Sequence, residues 1–152
     1  MRALLQRVSS AQVRAGGSIA AEIGIGVVVL LGVGHGDDEE TADGLAKRMV
    51  ELRIFRDEAG KTNRSILDVS GGAIVVSQFT LYADTSRGRR PGFSGAAAPD
   101  LAERLYERVA AGIRAAGVDP VGTGRFGAEM AVELVNDGPF TLWLDTAATG
   151  DA

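Results

Sequence analysis

The chain opens with alternating apolar and polar side chains. In "RALLQRVSSAQVRAGGSIAAEI", residues 2 to 23, the period is two on both sides of Gly16-Gly17, and a Gly-Gly pair between such runs predicts a hairpin. "IGVVVLLGVG", residues 25 to 34, is continuously apolar and rich in β-branched residues. That composition suits a buried strand, and the run is about half of what a bilayer span needs. The period then changes. Leu45, Met49 and Leu52 recur at helical spacing, and Asp37 with Glu40 three residues on reads as an N-cap and capping-box pair, predicting a helix over 38–53. "RDEAGKTNRSILDVSGG" is polar and turn-rich, an irregular crossing or a short hairpin. "GAIVVSQFTLYAD", residues 72 to 84, reads as a strand. A second helix starts at Pro99, with Leu101, Leu105, Val109 and Ile113 on one face and Gly117 at its C-terminal cap. "AVELVN" and "FTLWLDT" read as two closing strands around Gly138-Pro139.

The order of strands, helix, strand, helix, strands predicts an α/β or α+β domain with two helices covering one face of a sheet. One domain over residues 1–146 fits a chain of 152 residues, and residues 147–152 are expected to fray. Gly, at 21 residues, is about twice its usual share, so tight turns or close backbone approaches are expected. There is no Cys, which excludes disulfides and thiolate chemistry and points to the cytosol. Arg2, Arg7 and Arg14 interrupt any signal-type apolar core. No membrane partner is expected. The net charge of −4 argues against a surface coated in basic residues, but a local cluster can still attract phosphate.

Candidate chemistry is sparse. His35 is the sole histidine and lies between glycines, without the neighbouring carboxylate a hydrolytic triad needs. The acidic run at 37–40 suits a helix start. No metal site or cofactor is expected, given one His and no Cys. "SQFT", Ser77, Gln78, Phe79 and Thr80, brings hydroxyls and an amide to the end of an apolar strand. Alternation places Ser77 and Phe79 on one side and Gln78 and Thr80 on the other, either lining a site or turning toward solvent. "SRGRRPGF" clusters Arg87, Arg89 and Arg90 ahead of Phe93, which is either a solvated loop or guanidinium groups for phosphate beside an aromatic for base stacking. Gly138-Pro139 is either a kink at a sheet edge or a cis bond that presents two carbonyls together.

Across its length the chain resembles the D-aminoacyl-tRNA deacylase family, on the segments "RALLQRVSSAQV", "GVVVLLGVGHGDDE", "LRIFRDEAGK", "VVSQFTLYADTSRGRRPGFSGAA" and "GRFGAEMAVELVNDGPFTLWLD". The resemblance implies a three-layer α/β/β domain with mixed sheets and two helices, assembled as a homodimer with active sites at the subunit interface. It implies that Gly138 and Pro139, joined by a cis bond, reach the partner's pocket, hold the α-amino group of a D-residue and exclude an L side chain. Arg7 clamps that motif, and Asn136 is grouped with it. Ser77, Gln78, Phe79 and Thr80 line the pocket, with main-chain N–H groups near Phe79 for the developing oxyanion. Arg87, Arg89, Arg90 and Phe93 are assigned to the tRNA acceptor end. Two routes to hydrolysis stay open, water positioned by the tRNA 2′-OH or covalent catalysis by Thr80. A pocket that selects by exclusion also accepts glycyl-tRNA, including glycine mischarged on tRNA(Ala). Phe140 and Gly92 depart from the common Val and Ser, and Phe140 is expected to reshape the pocket mouth. The alternative reading is a non-catalytic module that binds the RNA acceptor end; no DNA partner is expected.

Overall fold

A computed structural model describes residues 1–148. Its strands are β1 (Arg2–Ala15), β2 (Ser18–Ile23), β3 (Gly26–Gly32), β4 (Phe55–Arg56), β5 (Thr62–Arg64), β6 (Gly72–Ser77), β7 (Val121–Thr123) and β8 (Met130–Asp145), and its helices are α1 (Glu39–Glu51) and α2 (Pro99–Ala115). The order β2-β1-β3-β6-β7 forms one sheet, and β8 joins it along the other side of β1. Pairing is mixed: β1 is antiparallel to β2, β3 and β8, whereas β3, β6 and β7 run parallel. β4 and β5 form a separate hairpin, so the short-hairpin option for the turn-rich crossing is the one realised.

The sheet curls, and its alternation feeds two cores. Val27, Val29 and Leu31 of β3 and Ala73 and Val75 of β6 pack with Leu45, Met49, Leu105, Val109 and Ile113 of the two helices. Val28, Ile74 and Val76 point the other way, into a second cluster with Val8, Val13, Ala21 and Ile23. This is why the central strands read as continuous apolar runs: both of their faces are buried. Helices, central strands and the folded-over part of the sheet are the three layers, as expected.

The start of α1 differs in detail from the capping prediction, whereas α2 starts at Pro99 as expected. Asp38, not Asp37, caps α1, with its Oδ1 accepting from the Thr41 amide at 2.8 Å. Asp37 is occupied elsewhere: it accepts from the Gly34 amide at 2.6 Å and from the Met1 α-amine. The two glycines of the first hairpin have φ of +58° and +79°, as a tight two-residue turn demands. The expected strand over 72–84 is shorter. β6 ends at Ser77, and Phe79–Tyr82 form a 3-10 turn; this removes the simple alternation from Ser77 to Thr80. The cause is loss of partners: β3 ends at Gly32, β7 pairs only as far as Val75, and the last ladder-like bond runs from the Gln78 amide to Leu31 O at 2.8 Å. β7, preceded by a cis Asp119-Pro120 bond, is a strand the periodicity did not single out. Ala147 and Ala148 belong to a short 3-10 turn, while the rest of the segment expected to fray, 149–152, lies outside the described residues. Among the described residues no helix is long and apolar enough to cross a membrane.

Gly26 and Gly72 face each other across the β3–β6 pair, and a Cβ on Gly26 would stand 1.9 Å from Gly72 O. The three nearest atoms are all Gly72 backbone, so the strands would have to separate. Gly26→Ala should destabilise the protein by about 2 to 3 kcal/mol, measured by urea unfolding; an unchanged midpoint would contradict this packing.

Candidate active site

Gly138-Pro139 lies in a break of register on β8. Gln6 pairs with Thr141 and Val8 with Asn136. Arg7 alone therefore stands opposite Asp137, Gly138, Pro139 and Phe140. What the sequence suggests as two strands is one long strand with a bulge, a device that re-aims backbone without ending the ladder. Gly138 has φ of +129°, a conformation L side chains rarely adopt, and the Gly138-Pro139 bond is cis. Both residues are exposed.

Arg7 holds the bulge from beneath. At 3% exposure it is the sole charged side chain buried among the described residues. Its Nε donates to Asp137 O at 3.2 Å and meets Asp137 Oδ2 at 3.0 Å; Nη1 donates to Ile54 O at 2.5 Å. The Phe140 ring lies 4.8 Å from the guanidinium carbon. A buried cation has to be satisfied in this way, because one left without partners is costly. Asn136 closes the other side: its Nδ2 donates to Arg7 O at 2.9 Å and to Phe140 O at 3.0 Å, and its Oδ1 accepts from Thr141 Oγ1 at 3.1 Å. Phe140 thus packs inward, against Arg7 and the helix-side core. Phe140 does not line the cleft at the end of β6 in its own chain.

A cleft of about 590 Å³ opens at the end of β6. Ser77, Gln78, Phe79 and Phe93 line it, together with Ala97 before α2, Ala102 in its first turn, Phe126 ahead of β8 and Met130 at the start of β8. Sequence reading missed this second wall. Its signal was only the spacing of Phe126 and Met130 around glycines. Phe79 is exposed, and its ring meets Phe93 edge-on at 5.0 Å. Thr80 is exposed and accepts from Gln78 Nε2 at 2.5 Å. As the first residues of the 3-10 turn, Phe79 and Thr80 have no carbonyl within it to bond, so their amides are the ones such a turn leaves for other acceptors.

Arg87, Arg89 and Arg90 are exposed on a loop whose ends are tied by paired bonds between Asp84 and Gly92 at 2.7 and 2.9 Å. Phe93 follows at once, so the basic loop adjoins the cleft. The residues therefore fall into two groups: 77–80 with Phe93 at the cleft, and Arg7, Asn136, Gly138 and Pro139 at the bulge. None of the bulge residues lines the cleft of its own chain.

His35 is elsewhere, its Nε2 2.6 Å from Ser94 O, in a separate polar cleft with Asp37 and Arg48. No group of three or more His, Cys, Asp or Glu side chains that could hold a metal occurs among the described residues.

Residues 4–145 match the family model described as D-Tyr-tRNA(Tyr) deacylase. The chain is 60% identical over 147 residues to a D-aminoacyl-tRNA deacylase of Thermomicrobium roseum, covering 97% of this chain and 95% of that one. It is 58% identical to a namesake from Cereibacter sphaeroides, over 96% of this chain and all of the relative. Among solved structures, the c-Myc DNA Unwinding Element Binding Protein superposes with a TM-score of 0.90 at 35% identity, over 96% of this chain and 99% of that one. The chain belongs to the D-Tyr-tRNA(Tyr) deacylase family, whose enzymes are hydrolases acting on the ester of an aminoacyl-tRNA.

Arg7→Met keeps the bulk of the stem but leaves Ile54 O and Asp137 without their donor. It should cost about 2 to 3 kcal/mol, read from urea unfolding, and wild-type stability would show that the clamp is not what holds the bulge.

Proposed function

We propose that this chain removes D-amino acids esterified to tRNA through a pocket that two subunits complete, one supplying the cleft at residues 77–80 and the other the bulge at Gly138-Pro139. The observation that carries this reading is the separation of the two groups within one chain, although both are built with care. A second copy is the simplest source of the missing half. β8 supports it: its 16 residues pair only with β1 among the described residues, and it exposes Val135 and Trp143. A long apolar edge of this kind is one that proteins cover.

Selection follows from fixed backbone. Two carbonyls at the bulge accept from the substrate α-ammonium group, and backbone oxygens cannot swing aside as a side chain would. With the ammonium group and the ester carbonyl both placed, D and L substrates differ only in which way the side chain leaves Cα. In the L case it runs into the bulge; in the D case it leaves toward open space. Glycine has nothing to exclude and is hydrolysed as well.

For the chemical step, water attacks the ester carbonyl carbon, the developing oxyanion takes hydrogen bonds from amides near Phe79, and the ribose oxygen leaves with a proton. Thr80 is a poor nucleophile here. Its oxygen already accepts from the Gln78 side-chain Nε2, which withdraws electron density, and no His, Asp or Glu among the described residues is hydrogen-bonded to it. The 2′-OH of the terminal adenosine is thus the group that orients or activates water. Arg87, Arg89 and Arg90 contact acceptor-end phosphates, and the Phe79–Phe93 pair stacks against the terminal base.

Purified protein incubated with D-tyrosyl-, L-tyrosyl- and glycyl-tRNA should release the D and glycyl amino acids, spare the L ester, and be indifferent to chelator. No hydrolysis of any of the three would leave the reading as an RNA-binding module instead. Replacing Arg87, Arg89 and Arg90 together by Ala should raise KM and reduce the slope of log affinity against log salt by about 2, for roughly three lost phosphate contacts at about 0.7 each. An unchanged salt slope would remove the loop from the RNA interface.

A further inference from the structure

The 3-10 turn that carries Phe79 and Thr80 follows directly on β6, and the backbone bond at its start runs from the Gln78 amide to Leu31 O of β3, so what fixes the rest of the turn lies at its far end. It closes on Tyr82, whose ring occupies a slot made by absent side chains. A Cβ at Gly34 would stand 2.7 Å from the Tyr82 oxygen, one at Gly32 3.2 Å from Cδ2, and one at Gly95 3.4 Å from Cδ1. The hydroxyl faces Asp37 Oδ2 at 3.4 Å. Burial, reinforced by the Asp37 charge, pushes the Tyr82 phenol up to about 12, so it stays a neutral donor.

Arg2 covers this ring. Its guanidinium carbon lies 4.5 Å from the Tyr82 centroid and 6.0 Å from that of Trp143. Nη1 donates to Leu81 O, inside the turn, at 3.0 Å, and Nε donates to Asp145 Oδ2 at 3.1 Å. One planar cation thus bonds the turn's backbone, stacks on its last side chain and is itself oriented by a carboxylate of β8. Arg can do all three at once because its donors are spread in a rigid fork. The strands do not need it for their pairing, since Arg2 and Asp145 are already ladder partners through the backbone.

We propose that Arg2 is a positioning residue for deacylation: it sets where the Phe79 and Thr80 amides sit relative to the ester, without touching substrate. Trp143 and Asp145 belong to the strand that bears the Gly138-Pro139 bulge. The same guanidinium therefore couples the turn to the selector that its own chain presents. The inference rests on reading residues 77–80 as the reacting half of the pocket.

The test compares wild type, Arg2→Met and Arg2→Lys in steady-state hydrolysis of D-tyrosyl-tRNA, with melting temperature and the emission of Trp143, the sole tryptophan. A misplaced turn should lower kcat about 10-fold in Arg2→Met with KM within about twofold, since small displacements at a reacting centre are costly while binding contacts remain. Arg2→Lys keeps the charge but cannot bond Leu81 and Asp145 together, so its kcat should fall between the two. Trp143 emission should change in Arg2→Met as the cation leaves its ring. Wild-type kcat in Arg2→Met overturns the proposal, as does a loss of rate matched by an equal rise in KM or by collapse of the melting transition in both variants. If Arg2→Met does not fold, Arg2→Lys decides alone, and wild-type kcat there overturns it. Wild-type protein that leaves the ester intact would instead sink the functional reading itself.

Discussion

A buried guanidinium at a break in register is the constraint on which the rest of the molecule turns. Along most of their length β1 and β8 pair residue for residue, but at Arg7 four residues of β8 must be accommodated against one. Left to itself such a bulge would be soft. Arg7 makes it a single shape by engaging Asp137 and Ile54 from below and Phe140 from the side, and Asn136 ties Arg7 O to Phe140 O across the gap. The buried charge cannot move without losing these partners, and a buried cation without partners is costly. Exposed backbone at Gly138 and Pro139 is thereby anchored from below by a buried, fully bonded side chain, which is what the proposed discrimination by backbone oxygens requires.

The other half of the site is made by the opposite means. At the end of β6 the sheet runs out of partners, the chain turns at Gln78, and a 3-10 turn leaves amides and the exposed Phe79 at the mouth of an apolar cleft. Its rigidity comes from packing: an aromatic ring in a slot of glycines with a cation over it. The function proposed above needs both halves, and a long strand that pairs only with β1 among the described residues gives the proposed dimer its seam.

Much of the fold was legible because its signals are local. The hairpin at Gly16-Gly17, the apolar runs of β3 and β6, and the faces of both helices follow from period and turn residues alone. Errors arose where tertiary contacts overrode local preference. Phe79 to Tyr82 have strand-like side chains, yet the glycines at 32, 34 and 95 offered Tyr82 a place that a strand could not reach. Asp38 took the cap because Asp37 was already bound to Gly34 and Met1. β7 is three residues, Val-Gly-Thr between Pro120 and Gly124, that only a neighbouring strand makes into a strand.

At the site, the chemistry was partly legible. Proline after glycine within an otherwise regular strand marked a special backbone, and clustered arginines beside Phe93 marked a basic edge. That Phe140 serves Arg7, that Phe126 and Met130 wall the cleft, and that Arg2 reaches Leu81 could not be read from spacing, because each depends on residues brought together from distant parts of the chain.

The most direct test of this account is a structure of the protein with a non-hydrolysable D-aminoacyl adenosine analogue, in which an amide replaces the ester. The account predicts the α-ammonium group against the carbonyls of Gly138 and Pro139 from one subunit, with the acyl carbonyl at the Phe79 amide of the other. An analogue bound at the cleft with Gly138-Pro139 remote from its ammonium group, or two bulges that face solvent in the complex, would contradict it.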